Sequence, residues 1–396
     1  MDALPRGVAE ADGVPRSSAA ADASSSPGRL IGAGVLPMAS AAFQLVGHTT
    51  AELEALMAQL GEPPYRGRQL AEWIYRRYAE DFAPMTDLPR TLRARLSAQG
   101  AVGLPRVAAT NTGEDGTTKY LVRLGDGNAV ECVWLPYRRW SSVCLSSQVG
   151  CPVGCSFCAT GQMGFYRNLT PGEMVGQFLV ARRRSPVPIT RAVFMGMGEP
   201  LLNYRNVLRA VHLLHDECGL GARHLTISTV GVVPGIRRLA REPLPVNLAL
   251  SLHAPDDDLR ATLIPLARRY PLAEVMAAVR EYVEATHRKV TLEYLLLAGV
   301  NDSVEHAGQL ARLIHWEAEG RGLLAGVNVI PYNETGARFR RPSEARIGRF
   351  MERLRSLGVS ATRRLERGHE IAAACGQLAN RAGAVQDLGQ TGDTGA

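Results

Sequence analysis

Apolar residues recur at helical spacing three times before residue 100. Thr50 is placed to cap a helix over Ala51–Leu60 that Gly61 would end; a second pattern covers Gly67–Tyr78, with Leu70, Trp73, Ile74 and Tyr78 on one stripe, and a third covers Leu88–Ala98. The period then drops to two. Within a β-rich stretch over 106–145, Lys119–Leu124 and Ala129–Leu135 predict strands joined by Gly125-Asp126-Gly127-Asn128, a strong hairpin signal. Alternation puts Ala129, Glu131 and Val133 on one face and Val130, Cys132 and Trp134 on the other. Glu131 therefore has apolar neighbours, an environment that suits a carboxyl group to proton transfer, although a partly exposed edge carboxylate is the commoner arrangement.

Beyond residue 140 strand and helix patterns alternate. Strands are predicted over Ser142–Ser147, Ala192–Met195, Leu225–Thr229, Val246–Leu252, Val290–Leu297 and Val327–Ile330. Helical patterns fall near Pro171–Arg184, Tyr204–His215, Val233–Leu239, Leu272–Thr286, Glu305–Trp316 and Glu344–Leu357. Six βα units argue for a parallel sheet. Six is short of a closed eight-stranded ring, so the fold class is α/β, a partial (βα)6 TIM-like barrel that is open and crescent-shaped, which the chain leaves through Ser360–Arg364.

Composition adds limits. With 396 residues, 46% of them hydrophobic, the chain can bury a large core, and no apolar run reaches the roughly 18 residues a bilayer requires, which predicts a soluble protein with no membrane partner. Seven cysteines, an odd number, argue against a disulfide framework and for a reducing cytoplasm. The Ala, Ser, Gly and Pro content of residues 1–44 predicts disorder rather than a signal peptide, as does that of 381–396, and Met38 is a possible start. The formal charge of +7 becomes +9 over residues 43–380, because each terminal stretch is net negative by one. Such a core suits a polyanion such as RNA, though the near-exclusive use of Arg, with Lys only at 119 and 289, also fits a compositional bias. Arg66, Arg68, Arg76 and Arg77 are RNA-contact candidates or a solvated face, and Trp73 and Tyr166 are candidates for stacking on bases.

The candidate chemistry centres on Cys151-Pro-Val-Gly-Cys155-Ser-Phe-Cys158, a C-x3-C-x2-C run. Three thiolates hold three irons of a 4Fe-4S cluster and leave the fourth open, able to chelate S-adenosylmethionine and cleave it reductively. Zinc would require a fourth ligand from afar, since no second C-x2-C or H-x3-H pair follows. Four strand ends carry polar residues suited to a ligand: Met195-Gly-Met-Gly-Glu-Pro200, Ser228-Thr-Val-Gly231, Ser251-Leu-His253 and Ile330-Pro-Tyr-Asn333. Glycines there would let backbone approach a ligand closely. Cys375, among alanines, has the composition of a small buried hydrophobe, but Gly376-Gln377 after it suggests a tight loop that could carry the thiol into a site.

The run Cys144-Leu-Ser-Ser-Gln-Val-Gly-Cys151, the cluster motif, Gly164-Phe-Tyr-Arg-Asn-Leu-Thr170, Met195–Pro200, Ser251-Leu-His-Ala-Pro255 and Ala374-Cys-Gly-Gln-Leu378 together resemble the RlmN/Cfr radical-SAM RNA methyltransferases over residues 45–380. The resemblance implies that Cys375 becomes S-methylated, that Cys144 resolves the protein–RNA adduct through a transient disulfide with Cys375, and that Glu131, thirteen residues before Cys144, accepts the ring proton. It implies S-adenosylmethionine contacts at Gly198, Glu199, Ser228, Ser251, Leu252, His253 and Asn333, and a cluster on Cys151, Cys155 and Cys158. It further implies 23S rRNA and tRNA as partners, a low-potential electron donor such as flavodoxin, and a monomer.

Val329-Ile-Pro-Tyr-Asn333 and Arg367-Gly368 look more like the RlmN type, which methylates adenine carbon 2, than the Cfr type, which methylates carbon 8. His369 stands where the family pattern has an acidic residue, and Ala373 follows Ala372 where it has an Asp-Ala pair. The implied organisation is a disordered extension (1–44), a helical accessory RNA-binding domain (45–104), a β-hairpin extension (105–140), the radical-SAM barrel (141–366), a catalytic cysteine loop (367–380) and a disordered tail (381–396). Other readings are a radical-SAM enzyme acting on a peptide or small molecule, which would have no need of the Cys144/Cys375 pair, and a non-catalytic iron-sulfur RNA-binding protein.

Overall fold

The structure, a computed structural model, describes residues 43–316 and 323–379. Expectations for residues 1–42, Met38 among them, and for the tail after 379 lie outside the described residues. The stretch expected to stay disordered through residue 44 is ordered from Phe43, because β1 (Phe43–Gln44) pairs in parallel with the strand that follows the third helix. Between them lie α1 (Thr50–Gln59), α2 (Tyr65–Ala71) and α3 (Arg90–Gln99), and β2 (Gly100–Ala101) closes the unit.

Thr49, not Thr50, caps α1: its hydroxyl accepts the Glu52 N–H while the Glu52 carboxylate accepts the Thr49 N–H. Thr50 is used elsewhere, its hydroxyl donating to Glu217 Oε2 at 2.6 Å and its N–H to Glu217 Oε1 at 2.8 Å, which ties the helical unit to the barrel. The predicted 67–78 helix starts earlier, at Tyr65, and widens into a π turn over Glu72–Arg76.

One ten-stranded sheet then organises the chain. It begins with the antiparallel β3 (Arg106–Thr112), β4 (Thr118–Arg123) and β5 (Ala129–Pro136). β5 pairs antiparallel with β6 (Ser141–Cys144), so the predicted hairpin is not a separate extension but continues the barrel sheet. After β6 the chain makes the short ribbon β7 (Gln148–Gly150) and β8 (Phe165–Asn168), with α4 (Ala159–Gln162) between them and the cysteine loop leading into α4. The sheet resumes in parallel through α5 (Pro171–Arg184), β9 (Ile189–Phe194), α6 (Tyr204–His212), β10 (Leu225–Thr229), α7 (Val233–Leu239) and β11 (Asn247–Ser251). It continues through α8 (Asp257–Leu263), α9 (Leu272–Thr286), β12 (Val290–Leu296), α10 (Val304–Trp316), β13 (Ala325–Pro331), α11 (Glu344–Ser356) and β14 (Ala361–Arg363).

The six predicted parallel strands are present and the partial barrel is the fold; β14 is a seventh, so residues 360–364 extend the sheet instead of leaving it. Three residues are too few to show a period, and their pairing comes from Val327–Val329. Helix α8 was not expected either; it is short, and its Arg260 turns inward and breaks the amphipathic pattern. Apolar side chains of the parallel strands, among them Leu248, Leu250, Leu292, Val327 and Val329, are buried at 0–1% exposure, as strands covered on both faces require. None of the described helices is long and apolar enough to cross a membrane.

In the accessory unit α1 and α2 cross with backbones nearly touching. A Cβ on Gly67 would lie 2.2 Å from Glu54 N and 2.4 Å from Glu54 Cα. Gly67→Ala is therefore expected to destabilise the protein by about 1–3 kcal/mol through overpacking, read as a lower urea midpoint.

Candidate active site

The three motif thiols line one cavity, about 920 Å³ with its mouth included, at the C-terminal ends of the parallel strands. Backbone N–H groups are already aimed at the sulfurs, from Val153 and Gly154 toward Cys151 and from Thr160 and Gly161 toward Cys158. Hydrogen bonds of this kind tune the thiolates of an iron-sulfur centre. Gly161 lets α4 close over the loop, since a Cβ there would lie 2.9 Å from Cys155 N and O. Burial pushes the Cys151 thiol up to about 12, Cys155 well above its ordinary value and Cys158 upward, with neighbouring thiols adding to each. In the metal-free chain these thiols hold their protons until a metal displaces them. Among the described residues no three His, Cys, Asp or Glu converge on a single-ion site. Three thiols on one cavity, with N–H donors aimed at two of them, suit an iron-sulfur cluster.

The opposite wall comes from the predicted strand ends. Gly198, Glu199, Ser228, Ser251 and His253 all face this cavity. Glu199 is 2% exposed; Oε2 accepts the Val230 N–H at 2.9 Å and Oε1 the Leu201 N–H at 3.0 Å, and burial raises its carboxyl to about 7. It is suited to an ammonium or hydroxyl group of a ligand. His253 has a left-handed backbone, φ 60°, and stands edge-on to Phe157 of the cysteine loop at 5.0 Å. Burial, with Arg260 assisting, lowers its pKa to about 3, and its Nδ1 accepts the Leu295 N–H at 3.1 Å, which leaves Nε2–H as a donor.

The glycines serve packing more than ligand approach. A Cβ on Gly198 (φ 102°) would meet Gln148 Cβ at 2.6 Å, and one on Gly196 would meet Ser146 Oγ at 2.7 Å. Leu252 is fully buried and does not line the cavity, whereas Asn333 borders a neighbouring one, its buried Oδ1 without a partner.

That second cavity, about 1210 Å³, adjoins the first, and Cys158, Thr160, Met195, Gly196, Ile330, Arg364, Cys375 and Gly376 border both. Cys144, at the end of β6, lines only the second. Cys375 is thus not a core residue: its loop presents it to both cavities. Gly376 takes φ 83° in the turn, its carbonyl accepts the Ala159 N–H at 2.8 Å, and the Leu378 carbonyl accepts the Thr160 hydroxyl. Burial, reinforced by Cys375, pushes the Cys144 thiol up to about 12, and the Arg364 guanidinium opposes that shift.

Arg364 was missed because β14 was missed. It follows that strand, lies 3.4 Å from both Glu293 carboxylate oxygens, and its pKa is raised by Cys375 and Glu293 against its own burial. Glu293 carried a signal, a lone carboxylate within the apolar run Val290–Leu297.

Glu131 is buried and lines neither of these cavities; it borders a third, with Ala372, Gln377 and Ala379 of the cysteine loop. Its surroundings are not the apolar ones expected. Lys119 Nζ lies 3.1 Å from Oε1, and the Ala379 N–H donates to Oε2 at 2.9 Å. The register pairs Leu121 with Glu131, which makes Lys119 the diagonal neighbour across the strands. Of the departures from the family pattern, His369 is exposed and Ala373 packs under the loop beside the second cavity.

Comparison with known proteins agrees with this architecture. Residues 145–311 match the radical SAM superfamily and residues 43–102 the ribosomal RNA large subunit methyltransferase N-terminal domain. The chain is 51% identical over 345 residues to the probable dual-specificity RNA methyltransferase RlmN of Symbiobacterium thermophilum, covering 85% of this chain and 91% of that one. It is 47% identical over 344 residues to the dual-specificity RNA methyltransferase RlmN of Halorhodospira halophila, covering 86% and 94%. The chain belongs to the RlmN family.

A crystal structure of a radical SAM methyltransferase from Sphaerobacter thermophilus, 51% identical, superposes with a TM-score of 0.82 over 85% of this chain and 99% of that one. Membership of the radical SAM superfamily implies a 4Fe-4S cluster and S-adenosylmethionine for this RlmN-family chain, and the cavity's thiols and polar rim suit both groups.

The folded chain keeps the Glu199 proton up to about pH 7, whereas an unfolded glutamate loses it near 4.5. The stability due to this carboxyl is therefore complete below pH 4.5 and lost as pH rises through 7. Urea unfolding of the metal-free protein is expected to show a decline on the order of 3 kcal/mol across that window, which Glu199→Gln abolishes.

Proposed function

We propose that the protein is an S-adenosylmethionine-dependent radical methyltransferase that methylates carbon 2 of an adenosine in the peptidyl-transferase region of 23S rRNA and of the adenosine 3' of the tRNA anticodon. The observation that carries this reading is the placement of Cys375, which faces the three-thiol cavity on one side and shares the adjoining cavity with Cys144 on the other. An enzyme acting on a small molecule or peptide would have no use for that second thiol. More than one RNA substrate is supported by relatives named as dual-specificity RNA methyltransferases RlmN, and carbon 2 by the RlmN-type runs Val329-Ile-Pro-Tyr-Asn333 and Arg367-Gly368.

Carbon 2 of adenine is electron-poor and does not attack a sulfonium methyl group, so the methyl must first be carried by the protein and then activated. When bound, the cluster and S-adenosylmethionine supply removal of a hydrogen atom from an otherwise inert methyl group. Cys151, Cys155 and Cys158 would hold the cluster; Gly198, Glu199, Ser228, Ser251 and His253 would bind S-adenosylmethionine, with Leu252 shaping the strand end beside them and Asn333 approaching from the second cavity. Cys375 takes a methyl group from a first S-adenosylmethionine and presents it to the site prepared by a second, two per turnover. Arg364, held by Glu293, places a positive charge beside both thiols and opposes the upward shift that burial imposes on Cys144.

Once the methylene is joined to the base, Glu131 accepts the ring proton, with Lys119 and the Ala379 N–H orienting its carboxylate. Cys144 releases the product by closing a disulfide with Cys375, which an external thiol or reductant must reopen. A bound cluster would need its electrons from a low-potential donor of the flavodoxin class.

The test is mass spectrometry of nucleosides from 23S rRNA and tRNA treated anaerobically with reconstituted enzyme, S-adenosylmethionine and reductant. 2-Methyladenosine is expected with wild type in both RNAs and is expected to vanish with Cys375→Ala. Appearance of 8-methyladenosine instead would move the activity to carbon 8, and absence of any methyladenosine despite an intact cluster would refute the methyltransferase reading.

A further inference from the structure

Among the described residues the accessory unit's cations are largely committed. Arg68 pairs with Glu54 and Arg95 with Glu62, while Arg66 donates to the Asp87 carbonyl. Trp73 is likewise engaged, its Nε1–H donating to Asp87 at 2.6 Å and its face covered by Arg77. A different surface is free.

The turn between β5 and β6 is Tyr137-Arg138-Arg139-Trp140, closed by a Tyr137 N–H to Trp140 carbonyl hydrogen bond of 2.8 Å. Its two rings stack with centroids 4.0 Å apart and planes 14° from parallel. Arg367 lies 4.7 Å from the Tyr137 ring and Arg191 4.2 Å from the Trp140 ring. With the inner faces occupied by each other, the two guanidiniums cover the outer faces, giving the order Arg367, Tyr137, Trp140, Arg191. At the tip Arg138 and Arg139 are exposed and make no ion pair or hydrogen bond among the described residues. The platform adjoins the reaction site, because Tyr137 and Arg367 line the cavity shared by Cys144 and Cys375.

We infer that this turn is the docking platform for the RNA strand that delivers its base to the second cavity, with Arg138 and Arg139 gripping phosphates beside the target nucleotide. The inference rests on the RNA methyltransferase reading and adds to it where the strand lies. Its charge is complementary to a polyanion, and the stacked rings hold the exposed Arg191 guanidinium ready for phosphate or base contact without the loss of freedom that a lone arginine would suffer, while Arg367, 3.8 Å from Asp115, anchors the other face of the stack. An acidic electron-transfer protein would also be attracted to such a surface. It has no need to reach the second cavity, however, whereas the substrate base must.

The experiment measures binding of fluorescently labelled transcripts, one a 23S rRNA peptidyl-transferase segment and one an unmodified tRNA, to the cluster-loaded enzyme over a series of salt concentrations. The Arg138→Gln/Arg139→Gln double variant is expected to bind about tenfold more weakly and to reduce the slope of log K against log salt by about 1.4 to 1.8, the loss of two phosphate contacts. Trp140→Ala keeps both charges and is expected to weaken binding with an unchanged slope. Iron content and S-methylation of Cys375 in the absence of RNA report whether each variant is folded and loaded.

Wild-type affinity and slope in a folded double variant would overturn the inference. So would unchanged RNA binding together with slower reduction by a flavodoxin-type donor, which would assign the surface to that protein instead. If wild type neither binds nor methylates either transcript, the RNA reading falls with it. If wild type methylates RNA and only the variant behaviour disagrees, the platform alone is refuted.

Discussion

The rim of the site depends on one buried cation. Arg260 has no solvent exposure, and its guanidinium donates to the carbonyls of Val230, Ser251 and Leu252 at the ends of β10 and β11. Taking an arginine out of water costs several kcal/mol, which is tolerable only where hydrogen bonds replace the lost water. What that desolvation secures is geometry. Val230, fixed at its carbonyl, turns its N–H to Glu199, and Leu252, fixed likewise, leads directly into His253 with its unfavourable φ. Asn301 completes the support by donating to the His253 and Leu295 carbonyls at 2.7 and 2.6 Å. Glu199 and His253, which line the cavity, thus owe their positions in part to Arg260 and Asn301, which do not.

The two sides of Cys375 are held differently. On the barrel side the loop is tied to the cysteine motif through the Ala159 N–H and the Thr160 hydroxyl, which donate to the Gly376 and Leu378 carbonyls. On the sheet side it leans on the hairpin, where Lys119 donates to the Ala372 carbonyl at 3.1 Å and Glu131 accepts from Ala379. The thiol lies at the junction of cysteine motif, hairpin and seventh strand, and Arg364 is the one arginine among the described residues that lines both cavities.

Much of this was legible because its signals are local. The cysteine spacing, the Asp126-Gly127 turn and the alternation of strand and helix each occupy a short window, and the polar residues at strand ends follow from the alternation once strands are placed. The parts that escaped depend on long-range pairing or violate a pattern. β14 is too short to have a period, and Arg364 was lost with it. α8 hides behind an inward-facing arginine. Lys119 and Glu131 meet because of hairpin register, which alternation alone does not fix. The roles given to Cys144 and Cys375 came from resemblance and not from composition, which would have left Cys375 in the core.

The contacts that seat the cysteine loop span the chain: 253 residues separate Lys119 from Ala372 and 248 separate Glu131 from Ala379. At the ordinary pace of translation, the hairpin leaves the ribosome about 10 to 50 s before the loop that it must receive. During that interval the three motif thiols are already on the growing chain while Cys375 has not yet been made. Order of synthesis thereby separates, in time, the thiols proposed to hold metal from the one proposed to carry carbon, identical side chains that the finished fold places around a single cavity.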